Sequence, residues 1–111
     1  MTLNELAGLD WIEVINAEYD DADIRGVYTS DLLSDVMAHA AEDSVLITIQ
    51  AHNNTVAVAS LAGINGIIIC NKRPVPDDMQ ATAQKERIAL FRTACNQFKT
   101  SCLMGKLTDC K

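Results

Sequence analysis

The sequence is short of cations: nine Lys and Arg stand against fifteen Asp and Glu in 111 residues, a formal charge of −6. A surface that binds nucleic acid or an acidic membrane needs clustered Lys and Arg to replace released counterions, so this balance argues against both partners. Long apolar runs are also missing. No stretch approaches the ~20 residues needed to span a bilayer, and the amino terminus lacks the basic region and apolar run of a secretory signal. The expectation is a cytosolic protein, in which Cys70, Cys95, Cys102 and Cys110 are reduced thiols rather than a disulfide framework.

Chemical signatures are equally sparse. The cysteines show none of the C-x-x-C spacing that marks zinc or iron–sulfur sites. There is no G-x-x-x-x-G-K-[ST] phosphate loop, no G-x-G-x-x-G and no G-x-S-x-G, so the standard supports for phosphoryl, hydride and acyl transfer are absent. No linker or internal repeat divides the chain, and residues 1–111 are expected to form a single domain. Folding at this length buries about 65% of the surface of the unfolded chain, enough for one core.

What is present alternates between strand and helix signals. Thr2 is a plausible cap for a short helix carrying Leu3, Leu6 and Ala7, and Trp11–Ile15 reads as a strand. Glu18, Asp20, Asp21 and Asp23 read as a solvated loop. Gly26–Thr29 is a short extended segment, after which Ser30 is placed to cap a helix that buries Leu32, Leu33, Val36, Met37 and Ala40. Val45–Ile49 suits an interior strand, and Thr55–Ala62 a buried helix capped by Asn53 or Asn54 and left through Gly63. Gly66–Cys70 is continuously apolar, which requires cover on both faces of its sheet. Asp77 with Gln80 resembles a capping box opening a helix to about Glu86, Ile88–Phe91 supplies another strand, and Thr93 is placed to cap the last helix. In that helix Cys95, Phe98 and Cys102 share one face, which predicts core packing. The expected fold is therefore a layered α/β domain, with a mostly parallel central sheet of four to five strands flanked by helices.

In open parallel sheets, ligands collect beyond the carboxyl ends of the strands. Four such ends are polar: Thr29-Ser30-Asp31, His52-Asn53-Asn54, Asn71-Lys72-Arg73 and Arg92-Thr93. They suit a phosphate, a carboxylate or a nucleotide, although helix capping alone also explains Ser30, Asn53 and Thr93. His52 is the one candidate that titrates near neutral pH, but no nucleophile or carboxylate partner is evident for it, and His39 is expected to meet carbonyls at a helix end.

The run Tyr28-Thr29-Ser30-Asp31-Leu32-Leu33-Ser34, then Val45-Leu46-Ile47-Thr48 to Ala59, then Gly66-Ile67-Ile68-Ile69 followed by Pro74, resembles the DRTGG domain over nearly the whole chain. The resemblance implies the fold of the amino-terminal domain of HPr kinase/phosphorylase, without kinase activity. Similar domains accompany nucleotide-sensing CBS modules, some phosphotransacetylases and, as small stand-alone versions, FeFe-hydrogenase genes. By this resemblance His52-Asn53 stands where the family's acidic–basic pair would lie, and Cys70-Asn71-Lys72 where its Thr-Gly-Gly would lie. The candidate ligand-binding residues are thus Thr29, Ser30, Asp31, His52, Asn53, Asn54, Asn71, Arg73 and Thr93, with no catalytic residue and no metal ligand. The implied function is a non-catalytic regulatory or accessory module that forms a homodimer or larger homo-oligomer and binds a small anionic ligand or nucleotide. The alternative is a cysteine-dependent redox or iron–sulfur accessory protein of a hydrogenase system, with a redox-protein partner.

Overall fold

Continuous β-branched runs need hydrophobic cover above and below, and that requirement dictates the layering of the computed structural model, which describes residues 1–109. In chain order the elements are α1 (Leu3–Ala7), β1 (Glu13–Asn16), β2 (Gly26–Thr29), α2 (Leu33–His39), β3 (Ser44–Thr48), α3 (Asn53–Ala62), β4 (Gly66–Ile69), α4 (Asp77–Glu86), β5 (Ala89–Arg92) and α5 (Gln97–Thr108). The five strands form one sheet in the order β1-β5-β4-β3-β2, parallel from β2 to β5, with β1 antiparallel to β5.

Side chains alternate across the interior strands and divide the core in two. Leu46, Ile67, Ile69 and Leu90 meet Val36, Val56, Ala59, Met79 and Ala83 of α2, α3 and α4. Val45, Ile47, Ile68 and Phe91 face the other way, against Leu3 and Leu6 of α1 and Met104 of α5. Burying a side chain of this kind contributes about 1.5–3 kcal/mol, so the central strands dominate stability. None of the helices among the described residues is long and apolar enough to cross a membrane.

The strand sequence from β2 to β5 advances in one direction, and its three connecting helices share one face. After β5 the chain changes face, and α5 returns across β2 and β3 on the side where α1 packs. The connections leaving β4 and β5 therefore part to opposite faces, the arrangement that opens a crevice beyond strand ends.

Several local expectations are corrected. The first strand begins at Glu13 rather than Trp11 and is irregular between Val14 and Asn16. Ser30 Oγ accepts from the Leu32 amide, one turn ahead of α2, and the helix itself starts without a side-chain cap. At the outer end of its layer α2 has one helical neighbour, so Val36 is buried while Leu32 and Met37 stay 64% and 46% exposed. His52, not Asn53 or Asn54, caps α3, its Nδ1 accepting from the Asn54 amide; Gly63 leaves the helix at φ 74°, as expected. Pro76 opens α4 with no side-chain cap, its ring fixing the extended entry. Asn96 rather than Thr93 caps α5, accepting from the Lys99 amide.

The face of α5 is also reversed from expectation. Phe98 is 77% exposed, Cys102 is exposed and Cys95 half-buried, while Thr100 and Met104 go into the core. Thr100 satisfies its hydroxyl on the Asn96 carbonyl, which removes the cost of burying it and lets this face pack.

Candidate functional site

Asp31 organises the carboxyl edge of the sheet. Its Oδ1 accepts hydrogen bonds from Thr48 Oγ1 (2.8 Å), the Ile49 amide (2.9 Å) and Gln97 Nε2 (2.9 Å). Its carbonyl accepts from Gln50 Nε2. One carboxylate thus ties the exits of β2 and β3 to the first turn of α5. Burial raises its pKa, but the bonds from Ile49, Thr48 and Gln97, with the nearby Arg73 charge, outweigh burial and hold it below its ordinary value.

Beyond β4 the chain makes a tight turn in which Asn71 (φ 61°) and Lys72 (φ 48°) are both left-handed, closed by a bond from the Arg73 amide to the Cys70 carbonyl. Consecutive left-handed residues suit glycine. These are the two positions at which the resemblance places glycines. The Asn71 and Lys72 amides donate to the carbonyls of Cys95 and Thr93. Those amides are engaged within the protein, and the turn offers a ligand side chains rather than a backbone cradle.

Thr93 is buried, receives the Cys95 amide on its hydroxyl and donates its own amide to Ile69, so it shapes the crossing from β5 to α5. The same crossing walls a cleft of ≈ 690 Å³ lined by Asn71, Ala94, Cys95, Asn96, Phe98, Lys99 and Cys102. Next to it Arg92 forms a two-pronged ion pair with Glu13 and donates to the Arg73 carbonyl. The hydrogen bond from Arg92, followed by its charge, lowers the Glu13 pKa. Lys72, Arg73 and Lys99 take part in no ion pair among the described residues.

The sequence candidates consequently divide. Asp31, Asn71, Arg73 and Thr93 belong to one contiguous edge, joined by Gln97 and the turn after β4. His52, Asn53 and Asn54 open α3; the Asn53 side-chain oxygen is buried without a hydrogen-bond partner among the described residues. Thr29 instead bonds Ser101 and lines a different groove, along β2. Gln97, Asn96, Phe98, Lys99 and Thr48 were not singled out as site residues from the sequence. Only the face of α5, reversed by the packing of Thr100 and Met104, brings the first four to the edge.

Cys70, Cys95 and Cys102 are free thiols, and Cys110 lies outside the described residues. Burial pushes the Cys70 thiol up, against a hydrogen bond to Thr100 that lowers it. Among the described residues no group of three or more His, Cys, Asp or Glu is placed to hold a metal ion. His39 Nδ1 lies 3.1 Å from Asp35 on its own helix, away from the edge.

No family model matches the sequence, and no curated protein matches it. Among solved structures, the chain is similar to the CBS and DRTGG domains of the regulatory region of Clostridium perfringens pyrophosphatase, a crystal structure complexed with its activator, diadenosine tetraphosphate. The match has a TM-score of 0.74 at 15% identity and covers 92% of this chain and 45% of the other. Identity at that level speaks to architecture alone: the chain has a DRTGG-like fold.

Proposed function

We propose that this chain is a non-catalytic regulatory or accessory module that self-associates and takes a small anionic ligand, a nucleotide foremost, where β4 and β5 end. The observation that carries this reading is Lys99 beside the exposed Phe98 in the cleft, with Lys72 and Arg73 in the adjoining turn after β4, three cations that form no ion pair among the described residues of an otherwise acidic chain. Cations attract phosphate, and an aromatic face stacks on a base for about 1–3 kcal/mol. Asn71 and Asn96 add amide groups able to orient a ligand in the same cleft. In this reading Asp31 holds Gln97 in place, and Thr93 and Ser30 shape loops. His52, Asn53 and Asn54 serve to open α3. The fold likeness supports the reading, since the similar regulatory region was solved with a nucleotide activator.

Calorimetric titration with AMP, ADP, ATP, diadenosine tetraphosphate and inorganic phosphate tests it. A nucleotide should bind, more weakly by about 10-fold in Phe98→Ala, the lower part of the stacking range, and by a similar factor in Arg73→Ala. Both residues are exposed, so unfolding curves should stay unchanged. No heat or competition across the panel would overturn the ligand-binding part.

A second reading, a cysteine-dependent redox or iron–sulfur accessory protein of a hydrogenase system, is favoured by one observation: Cys95 and Cys102 line that same cleft. Anaerobic reconstitution with iron and sulfide separates the two. Coloured protein with bound iron supports the second reading, and colourless protein with reduced thiols contradicts it.

A further inference from the structure

The two edges of the sheet differ. At one, β1 is irregular between Val14 and Asn16, a feature that blunts an edge against further pairing. At the other, β2 pairs with β3 in unbroken register and has no strand beyond it among the described residues. The Ser30 amide donates to Ile47. By the alternation of a strand, Tyr28 also points its main-chain groups at β3, while Val27 and Thr29 present theirs to the open side; ahead of the strand the Arg25 amide donates to the Asp43 carbonyl. A groove of ≈ 640 Å³ runs along this edge, between His39 and Ala41 beyond one face and Ser101 and Gly105 of α5 beyond the other.

We propose that two copies of this chain join through their β2 edges, antiparallel and related by a two-fold axis at Tyr28. The inference rests on the self-association in the proposed function and names its surface. In this register Val27 of each copy exchanges hydrogen bonds with Thr29 of the other, which uses every free main-chain group of both strands. The same register brings Arg25 of each copy toward Asp31 of its partner. Arg25 is mostly exposed, held only by Asp43 at 3.9 Å, and no hydrogen bond reaches Asp31 Oδ2 among the described residues. The edge is thus complementary to itself in hydrogen bonding and in charge, which selects a second copy as the occupant. The axis also sets α2 beside its own copy, and α2 is the helix that leaves Leu32 and Met37 exposed.

Sedimentation velocity of the full chain up to high micromolar concentration tests this with two variants. Thr29→Pro removes an outward-facing amide and no bond of the β2–β3 ladder, so the monomer should still fold, which its urea unfolding curve checks. The wild type should sediment as a dimer. Thr29→Pro should raise the dimer Kd at least about 100-fold through lost hydrogen bonds, and Arg25→Glu about 10-fold through charge repulsion. The Val27 and Thr29 amides should exchange more slowly with rising protein concentration. A dimer that neither variant weakens overturns the β2 interface and leaves self-association standing; a wild type that stays monomeric overturns both.

Discussion

Asp31 receives on one oxygen three donors, two from the exit of β3 and one from a distant helix, so its charge is matched in the folded chain and unmatched in the unfolded one. Its folded pKa lies below the unfolded value. That contribution is complete above the ordinary carboxylate range, near pH 4, and is lost as pH falls through the lowered folded pKa. Asp31→Asn should therefore cost about 1–2 kcal/mol near neutral pH, a hydrogen-bond figure already reduced for partial exposure, and the gap to wild type should narrow in acid. Urea unfolding at several pH values checks it; a gap that stays constant from neutral pH into acid would contradict the assignment. The candidate itself was legible as a polar residue at a strand end. Its partners were not, because Thr48 and Gln97 stand 17 and 66 positions away and only the completed sheet brings them together. The turn after β4 offers a second residue-scale outcome. A non-glycine residue in the left-handed region costs about 1–2 kcal/mol, partly offset by the greater chain entropy of glycine, so Lys72→Gly should stabilise the protein by about 0.5–1 kcal/mol. A loss of stability would show that the Lys72 side chain contributes contacts absent from the structure.

Elements were legible where one physical signal stands alone. β3 and β4 are continuous apolar runs, and continuous burial of both follows. Helix phase was harder where two faces compete. In α5, Cys95, Phe98 and Cys102 recur at helical spacing, but so do Thr100 and Met104, and the winning face is the one whose polar atoms can be satisfied internally. Caps behaved similarly: Thr93 and Asn96 both suit a helix start, and the demand for Thr93 inside the β5 exit leaves the cap to Asn96. Asn96→Ala should lower stability by about 1 kcal/mol and increase amide exchange in the first turn of α5. Thr93→Ala should instead disturb exchange across the loop to Lys72, whose amide bonds the Thr93 carbonyl. If Thr93→Ala frayed the first turn of α5 as much as Asn96→Ala does, the assignment of the cap would be wrong.

At the scale of the molecule, the winding of the chain decides where a ligand finds room. Three crossover helices on one face and a return helix on the other place a change of face between the exits of β4 and β5. Lys99 and the exposed ring of Phe98 line the cleft there, and Lys72 and Arg73 stand in the turn that leaves β4. A sequence names the strand ends but not their neighbours in the sheet, so it offered four polar ends of equal standing, and the strand order separates them. The most direct test is an amide chemical-shift titration of the full chain with ATP and diadenosine tetraphosphate. Saturable shifts confined to Asn71–Arg73, to residues 94–102 and to the Asp31–Gln97 junction are the expected result; shifts elsewhere, or none at millimolar nucleotide, would contradict it.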